Sequence, residues 1–141
     1  MSGFLLDTNV ISEITRPRPD QGVIKWIENT DESLLHLSVL TLGEIRKGVG
    51  LLPDGRRRVS LESWLDSDLM LRFSGRILPI DVSVADRWGR ISASATAKRT
   101  PLPVIDCLLA STAMHYNLVL VSRDQTCAGI PGVELFNPWR S

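Results

Sequence analysis

Short apolar runs alternate along the chain with longer segments in which apolar residues recur at helical spacing. The runs predict strands over Phe4–Leu6, Leu34–Leu37, Ile77–Ile80, Leu118–Val121 and Val133–Phe136. The intervening segments predict helices around Val23, Ile24 and Ile27 and over Leu40–Leu52, Arg56–Phe73, Ser83–Ala97 and Val104–Tyr116. Strands that alternate with helices indicate a parallel sheet with helices on both faces, and therefore an α/β fold.

Local signals support these boundaries. Pro53-Asp54-Gly55 is a turn signal after the second helix, and Ser83-x-x-Asp86 resembles a capping box at the start of the fourth. No internal repeat, low-complexity stretch or linker divides the chain. We therefore expect residues 1–141 to form a single domain.

Composition narrows the classes of function. The 141 residues carry 16 basic and 16 acidic side chains, so nucleic-acid binding would depend on local patches. No run approaches the roughly 20 apolar residues of a membrane span, and the N-terminal segment does not resemble a signal peptide. Cys107 and Cys127 are far apart and share no ligand-like spacing with His36 or His115. We expect free thiols, a cytoplasmic location, no zinc site and no membrane association.

Acidic residues follow two of the predicted strands. Asp7-Thr8-Asn9 comes after the first strand, and Ser122-Arg123-Asp124 comes after the fourth. Such residues are common in turns and helix caps, but the ends of parallel strands are also where ligands bind in α/β sheets. The pattern leaves both explanations open.

Glu44 interrupts the apolar face of the second predicted helix. With Leu40 set at 0°, Glu44 falls at about 40°, inside an apolar arc that extends to about 200°. A carboxylate there needs a cation, because burying an unpaired charge is unfavourable. An ion pair with Lys47 or an arginine and a metal site both satisfy that need.

Asp106 lies in the first turn of the fifth predicted helix, where the helix dipole alone would favour a carboxylate. Asp81 follows the third strand, but the capping signal at Ser83 explains it, so we exclude Asp81 from the site. Asp7, Glu44, Asp106 and Asp124 share one further explanation, since Mg²⁺ takes oxygen ligands and stabilises clustered carboxylates. Motifs for a phosphate-binding loop, a dinucleotide site or a serine nucleophile are absent from the sequence.

Several segments resemble PIN-domain proteins, and in particular the VapC/FitB-like toxins of bacterial toxin–antitoxin pairs. These are "LLDTNVISE", "LSVLTLGEIRKGV", "GRILPID", "VIDCLLASTA", "LVSRD" and "VELFNPW", which occur in the family's order and spacing. The resemblance implies a three-layer α/β/α fold with a parallel five-stranded sheet in the order 3-2-1-4-5. It also implies that Asp7 and Asp124 lie on neighbouring strands, at the topological switch point.

The family's acidic positions correspond to Asp7, Glu44, Asp106 and Asp124, and its supporting polar positions to Thr8, Asn9 and Ser122. The sequence departs from the family in two places. Bulky Val104-Ile105 stand where small residues are frequent, and the family carries Asn as well as Asp at the fourth acidic position.

The resemblance implies a Mg²⁺- or Mn²⁺-dependent endoribonuclease that acts as a toxin, with RNA as substrate and a cognate antitoxin as protein partner. Candidates for RNA-backbone contact are Arg46, Lys47, Arg56, Arg57 and Arg58, although a solvated helix face explains these residues equally well. Apolar Trp64, Leu65, Leu69 and Met70 suggest a homodimer interface, unless they pack internally.

Three other classes of protein stay open at this stage. They are a flap-type DNA nuclease, a non-catalytic PIN module that binds partners, and a phosphotransfer domain with a phosphoacceptor aspartate. The chain is short for the DNA-gripping elements of flap nucleases. It also lacks the second Asp of the phosphatase motif and the lysine of a receiver domain.

Overall fold

A parallel sheet of five strands forms the centre of the protein, and its strand order is β3-β2-β1-β4-β5. The computed structural model describes residues 3–140. The strands are β1 (Phe4–Leu6), β2 (Leu35–Ser38), β3 (Ile77–Leu78), β4 (Val119–Val121) and β5 (Leu135–Phe136). The fold class and the strand order predicted from the sequence are therefore confirmed.

Helices cover both faces of the sheet. They are α1 (Thr8–Ile14), α2 (Gln21–Asn29), α3 (Val39–Gly50), α4 (Arg56–Ser63), α5 (Met70–Arg72), α6 (Val82–Ala97) and α7 (Val104–His115). A π-helical segment, Trp64–Leu69, joins α4 to α5, and short 3-10 turns occupy Glu32–Leu34 and Pro138–Arg140. One buried cluster includes Val10, Ile11 and Val23 from α1 and α2, and a second includes Leu109 and Ala110 from α7.

The pairing of β1 with β4 positions the functional edge of the sheet. Leu6 is in register with Val121, and the amide of Asp7 donates a hydrogen bond to the Val121 carbonyl oxygen at 2.9 Å. The residues that follow these two strands therefore emerge side by side. Because the strands are parallel, this is their shared carboxyl edge. The β1/β4 pair is also the topological switch point, since later strands are added outward on opposite sides of it.

The structure corrects the predicted N-terminal and middle helices. Helix α1 was not predicted as a separate element, and Thr8 and Asn9 lie in its first turn. The single predicted helix over Arg56–Phe73 is instead α4, the π-helical segment and α5. Helix α3 ends at Gly50, so Leu51 is 76% exposed and does not extend the apolar face.

The predicted capping box at Ser83-x-x-Asp86 is wrong. Asp81 is the N-cap of α6, because its Oδ1 accepts a hydrogen bond from the Val84 amide at 2.9 Å. Asp86 instead pairs with Arg90 one turn later. Excluding Asp81 from the acidic site was nevertheless consistent with this capping role.

The apolar surface suggested for dimerisation is smaller than predicted. Leu65 and Leu69 are 2% and 1% exposed and pack in the first cluster, with Trp64 partly buried against it. Met70 and its neighbour Leu71 are 43% and 79% exposed. Internal packing thus accounts for Leu65 and Leu69. Within residues 3–140, no helix combines the length and apolar character that crossing a membrane requires.

Candidate active site

Asp7 is the N-cap of α1 and also lines a cleft at the carboxyl edge of the sheet. Its predicted role as a capping residue is confirmed, and its role in ligand binding stays a prediction. Its backbone is extended (φ −69°, ψ 160°), as an N-cap requires, and its Oδ1 accepts a hydrogen bond from the Thr8 amide at 2.6 Å. Its second carboxylate oxygen, Oδ2, accepts a hydrogen bond from the Ser122 hydroxyl at 2.8 Å. These two bonds fix the carboxylate at the end of β1.

Ser122 connects the two strand ends. Its buried hydroxyl donates to Asp7 and accepts hydrogen bonds at 3.0 Å from the Asn9 side-chain amide and from the Asp124 backbone amide. A serine hydroxyl has one donor and two acceptor positions, and all three are used here. The roles expected for Asn9 and Ser122 as supporting residues agree with these contacts.

Glu44 lies on α3 and is connected to the site by a hydrogen bond from Thr8. The Thr8 hydroxyl donates to Glu44 Oε1 at 2.6 Å and lies 3.5 Å from the Thr41 hydroxyl oxygen. Among residues 3–140, no ion pair involves Glu44, so the alternative of a pair with Lys47 or an arginine is not borne out in the described structure. Glu44 is half-buried and is held by a neutral donor.

Asp106 and Asp124 line the same small cleft as Asp7. Asp106 lies in the first turn of α7. Asp124 lies in the segment after β4, two residues beyond Ser122. The Thr126 amide donates to Asp124 Oδ1 at 2.9 Å, and the Thr126 hydroxyl donates to the same oxygen. The cleft thus gathers three acids from separate parts of the chain.

Burial and mutual repulsion raise the pKa values of the central acids. For Asp7, burial raises the pKa most; the hydrogen bonds from Ser122 and Thr8 oppose it, and the charges of Glu44 and Asp124 add to it. For Asp106, burial again comes first, followed by the charges of Asp124, Asp7 and Glu44. The charges of the other predicted acids therefore contribute to the raised pKa values of Asp7 and Asp106.

The donor set suits a hard cation that keeps part of its water shell. In the described part of the chain, no three carboxylate, histidine or cysteine side chains are arranged so that they could hold a metal ion. Mg²⁺ commonly takes only one or two protein carboxylates and completes its shell with water and substrate phosphate. Asp7 and Asp106, two carboxylates with raised pKa values on one cleft, match that partial set.

The predicted RNA-contact residues fall into two groups. Arg46 pairs with Asp66, and Arg58 pairs with Asp54 at 3.3 Å and with Glu62 at 3.7 Å. No ion pair in residues 3–140 involves the others, which are Lys47, Arg56 and Arg57. Arg57 lines a groove between α1, α3 and α4 that Glu44 also lines.

Sequence reasoning missed Thr126 and Cys127. The spacing Asp124-x-Thr126 is a local signal that an aspartate fixes its own turn, and it was available in the sequence. Cys127 had no such signal. Its thiol, which lines the cleft, has a pKa raised to about 12 by burial and by the nearby charge of Asp106, so it stays protonated. As predicted, both cysteines are free thiols.

Residues 4–132 of the chain match the PIN domain family. The chain is 36% identical to Toxin FitB of Neisseria gonorrhoeae over 136 residues, which cover 96% of this chain and 98% of FitB. It is 31% identical to the VapC ribonuclease Y4jK of Sinorhizobium fredii, with 96% of this chain and 97% of that protein covered. The crystal structure of FitAcB from Neisseria gonorrhoeae matches with a TM-score of 0.92 and 36% identity, over 98% of this chain and 99% of that one.

Proposed function

The chain belongs to the PIN domain family, and on that premise we propose that it is a Mg²⁺- or Mn²⁺-dependent endoribonuclease acting in the cytoplasm as the toxin of a toxin–antitoxin pair. The observation that carries this proposal is the convergence of Asp7, Asp106 and Asp124 on one cleft, at the carboxyl edge of a parallel sheet. The names of the relatives, a toxin and a ribonuclease, support the two halves of the proposal.

Asp7 and Asp106 would hold the cation, with Glu44 and Asp124 contributing negative charge around it. When bound, Mg²⁺ supplies positive charge to the phosphodiester and makes a water molecule a better nucleophile at neutral pH. Ser122 and Thr126 hold Asp7 and Asp124 in place by hydrogen bonds. These bonds keep the carboxylates from turning away from the cleft when no cation is present.

Thr8 and Asn9 position the site from α1. Thr8 holds the Glu44 carboxylate, and Asn9 bridges α1 to the segment after β4, through Ser122 Oγ at 3.0 Å and the Arg123 amide at 3.4 Å. Both therefore act through other groups, as positioning residues. Lys47, Arg56 and Arg57 are the candidates we retain for contact with the RNA backbone, since their charges are free of ion pairs in the described structure.

Purified protein should cleave single-stranded RNA in Mg²⁺, and EDTA should abolish cleavage. Asp7→Ala, Glu44→Ala and Asp106→Ala should each lower the rate by orders of magnitude. Asp81→Asn is the matched control, because it removes an acid outside the cleft while keeping a good helix cap. Undiminished cleavage by Asp7→Ala protein would refute the proposed site. Cleavage of DNA but not RNA would favour a flap-type nuclease, and no cleavage of either would favour a partner-binding module.

The partner we propose is a cognate antitoxin protein. Expression of the chain alone should arrest growth, and co-expression of the antitoxin should restore it. Growth unaffected by the active enzyme would argue for a housekeeping nuclease instead. The predicted homodimer stays a prediction that a solution mass at micromolar concentration would test.

A further inference from the structure

A second cavity, of about 500 Å³, lies beside the acidic cleft. It is bounded by the C-terminal half of α6, the segment that leads from α6 to α7, and the loop after β4. Its apolar walls are formed by Ile91, Leu102 and Ile130. This volume is within the range of about 300–1,000 Å³ that is usual for small-molecule sites.

The cavity adjoins the acidic cleft through a shared residue. Thr126 lines both, and its amide and hydroxyl bond the Asp124 carboxylate. The cavity and the acidic cleft are therefore adjacent and meet at Thr126.

The polar rim of the cavity is basic. Lys98 and Arg90 line it, and none of the acidic residues among positions 3–140 does. Arg90 is held by Asp86 at 2.8 Å, whereas Lys98 forms no ion pair in the described part of the chain. An apolar interior with a lysine at its rim suits a ligand that has both an apolar group and a negative charge.

One wall of the cavity is preformed. Just beyond the end of α6, the backbone of Arg99 is in the left-handed region (φ 59°). The Thr100 amide donates to the Ala95 carbonyl oxygen at 2.9 Å, and the Arg99 amide donates to the Thr96 carbonyl oxygen at 3.0 Å. This pair of bonds is a Schellman motif, which fixes the exit of the chain from a helix. Lys98 and Leu102, which flank this turn in the chain, both line the cavity.

We propose that this cavity is a nucleotide subsite, which holds the base of an RNA residue adjacent to the scissile phosphate while Lys98 contacts a backbone phosphate. The inference rests on the proposed ribonuclease function and deepens it, because it makes unpaired RNA the preferred substrate. A base in a duplex stays stacked, whereas a base in a loop or single strand is free to enter an apolar pocket. Continuity with the acids and the basic rim favour RNA over an apolar protein segment as occupant.

The test fills the cavity with a side chain. Ala95 lines it, and Ala93 is exposed on the same helix, so Ala95→Trp and Ala93→Trp form a matched pair. RNA binding is measured by fluorescence anisotropy with a labelled single-stranded oligoribonucleotide, in an Asp7→Asn background that prevents cleavage. Ala95→Trp should raise Kd by at least about tenfold, as the loss of one bound base implies, and Ala93→Trp should not. Thermal melts of both variants show whether the folded state is kept.

Lys98→Ala gives an independent measurement, because it leaves the apolar walls in place. Loss of one phosphate contact should weaken binding and lower the slope of log Kd against log salt by about one. Lys25→Ala, on α2, is the control and should leave the slope unchanged.

The outcomes separate the two proposals. If the wild type cleaves no RNA in Mg²⁺, the proposed function and the subsite fail together. If the wild type cleaves RNA but Ala95→Trp and Lys98→Ala bind it as their controls do, the subsite alone is overturned. Loss of antitoxin binding by Ala95→Trp with RNA affinity unchanged would also overturn it, and would assign the cavity to a protein partner.

Discussion

Ser122→Ala should destabilise the protein far more than the removal of another buried serine hydroxyl. Ser122 is 3% exposed, and its hydroxyl forms three hydrogen bonds that join β1, α1 and the segment after β4. Alanine fits the same space but offers neither donor nor acceptor. The substitution leaves the Asn9 amide and the Asp124 backbone amide without their acceptor, and the Asp7 carboxylate without one of its donors.

The expected magnitude follows from the chemistry of these bonds. A hydrogen bond to a charged group contributes about 1.5–3 kcal/mol, and a neutral one contributes about 1 kcal/mol. Because water reaches the cleft and replaces part of what is lost, we expect the free energy of unfolding to fall by about 3 kcal/mol. The Ser122 hydroxyl also stabilises the charged form of Asp7, so its loss should raise the pKa of that carboxyl further.

Ser111→Ala is the matched control. Ser111 is fully buried in α7, and its hydroxyl donates only to the Cys107 carbonyl oxygen at 2.7 Å, an acceptor that lies within the same helix. Alanine has the higher helix propensity, so Ser111→Ala should change stability by less than about 1 kcal/mol. Urea denaturation of both variants measures the difference. Equal losses would mean that the Ser122 network does not bind the strand ends together.

The pH dependence of cleavage gives a second readout of the same change. The acidic limb of the pH–rate profile should move to higher pH in Ser122→Ala, because the deprotonated form of Asp7 is the one that binds a cation. An unchanged acidic limb would show that this hydrogen bond does not tune Asp7.

Three further predictions follow from the structure. In EDTA at pH 7, Asp106→Asn should raise the melting temperature, because burial and the charge of Asp124 raise the pKa of Asp106 and so make its charged form destabilising. That advantage should shrink as the pH falls toward the ordinary carboxyl value of 3.8, and Mg²⁺ should stabilise the wild type more than the variant. A lower melting temperature would instead mean that Asp106 stabilises α7 through the helix dipole. Leu69→Ala should lower the free energy of unfolding, measured by urea denaturation, by about 2–5 kcal/mol, because Leu69 is buried. Leu71→Ala is the control and should lower it by less than about 0.5 kcal/mol, because Leu71 is 79% exposed. Arg99→Gly should raise the free energy of unfolding by roughly 0.5 kcal/mol, because glycine tolerates the left-handed backbone at this position. A decrease would mean that the arginine side chain stabilises the turn.

The sequence by itself determined the fold class and the acids. Short apolar runs predicted the strands, and apolar residues at the 3.6-residue helical period predicted the helices between them. Asp7 and Asp124 were identified because each follows an apolar run, and Glu44 because it interrupts an apolar helix face. Both are local patterns, visible without knowing which strands are neighbours.

The partners of those acids were decided only by tertiary structure. The Thr8–Glu44 bond joins residues 36 positions apart, and the Ser122–Asp7 bond joins residues 115 apart. No local pattern encodes such distances, because they depend on how β1 pairs with β4 and how α3 packs against α1. The same holds for Leu65 and Leu69, whose apolar character gave no indication of whether a second subunit or the protein's own core would cover them.

The cavity beside the acids also depends on tertiary structure rather than on local sequence patterns. Lys98, Leu102, Thr126 and Ile130 each have an ordinary local explanation, as a helix end, an apolar loop residue, a turn residue and a core residue. They form one surface because the C-terminal end of α6 packs beside the loop that begins where β4 ends, next to Asp124. A sequence pattern specifies which way a side chain faces within its own element, but a site built from several elements exists only once those elements are packed together.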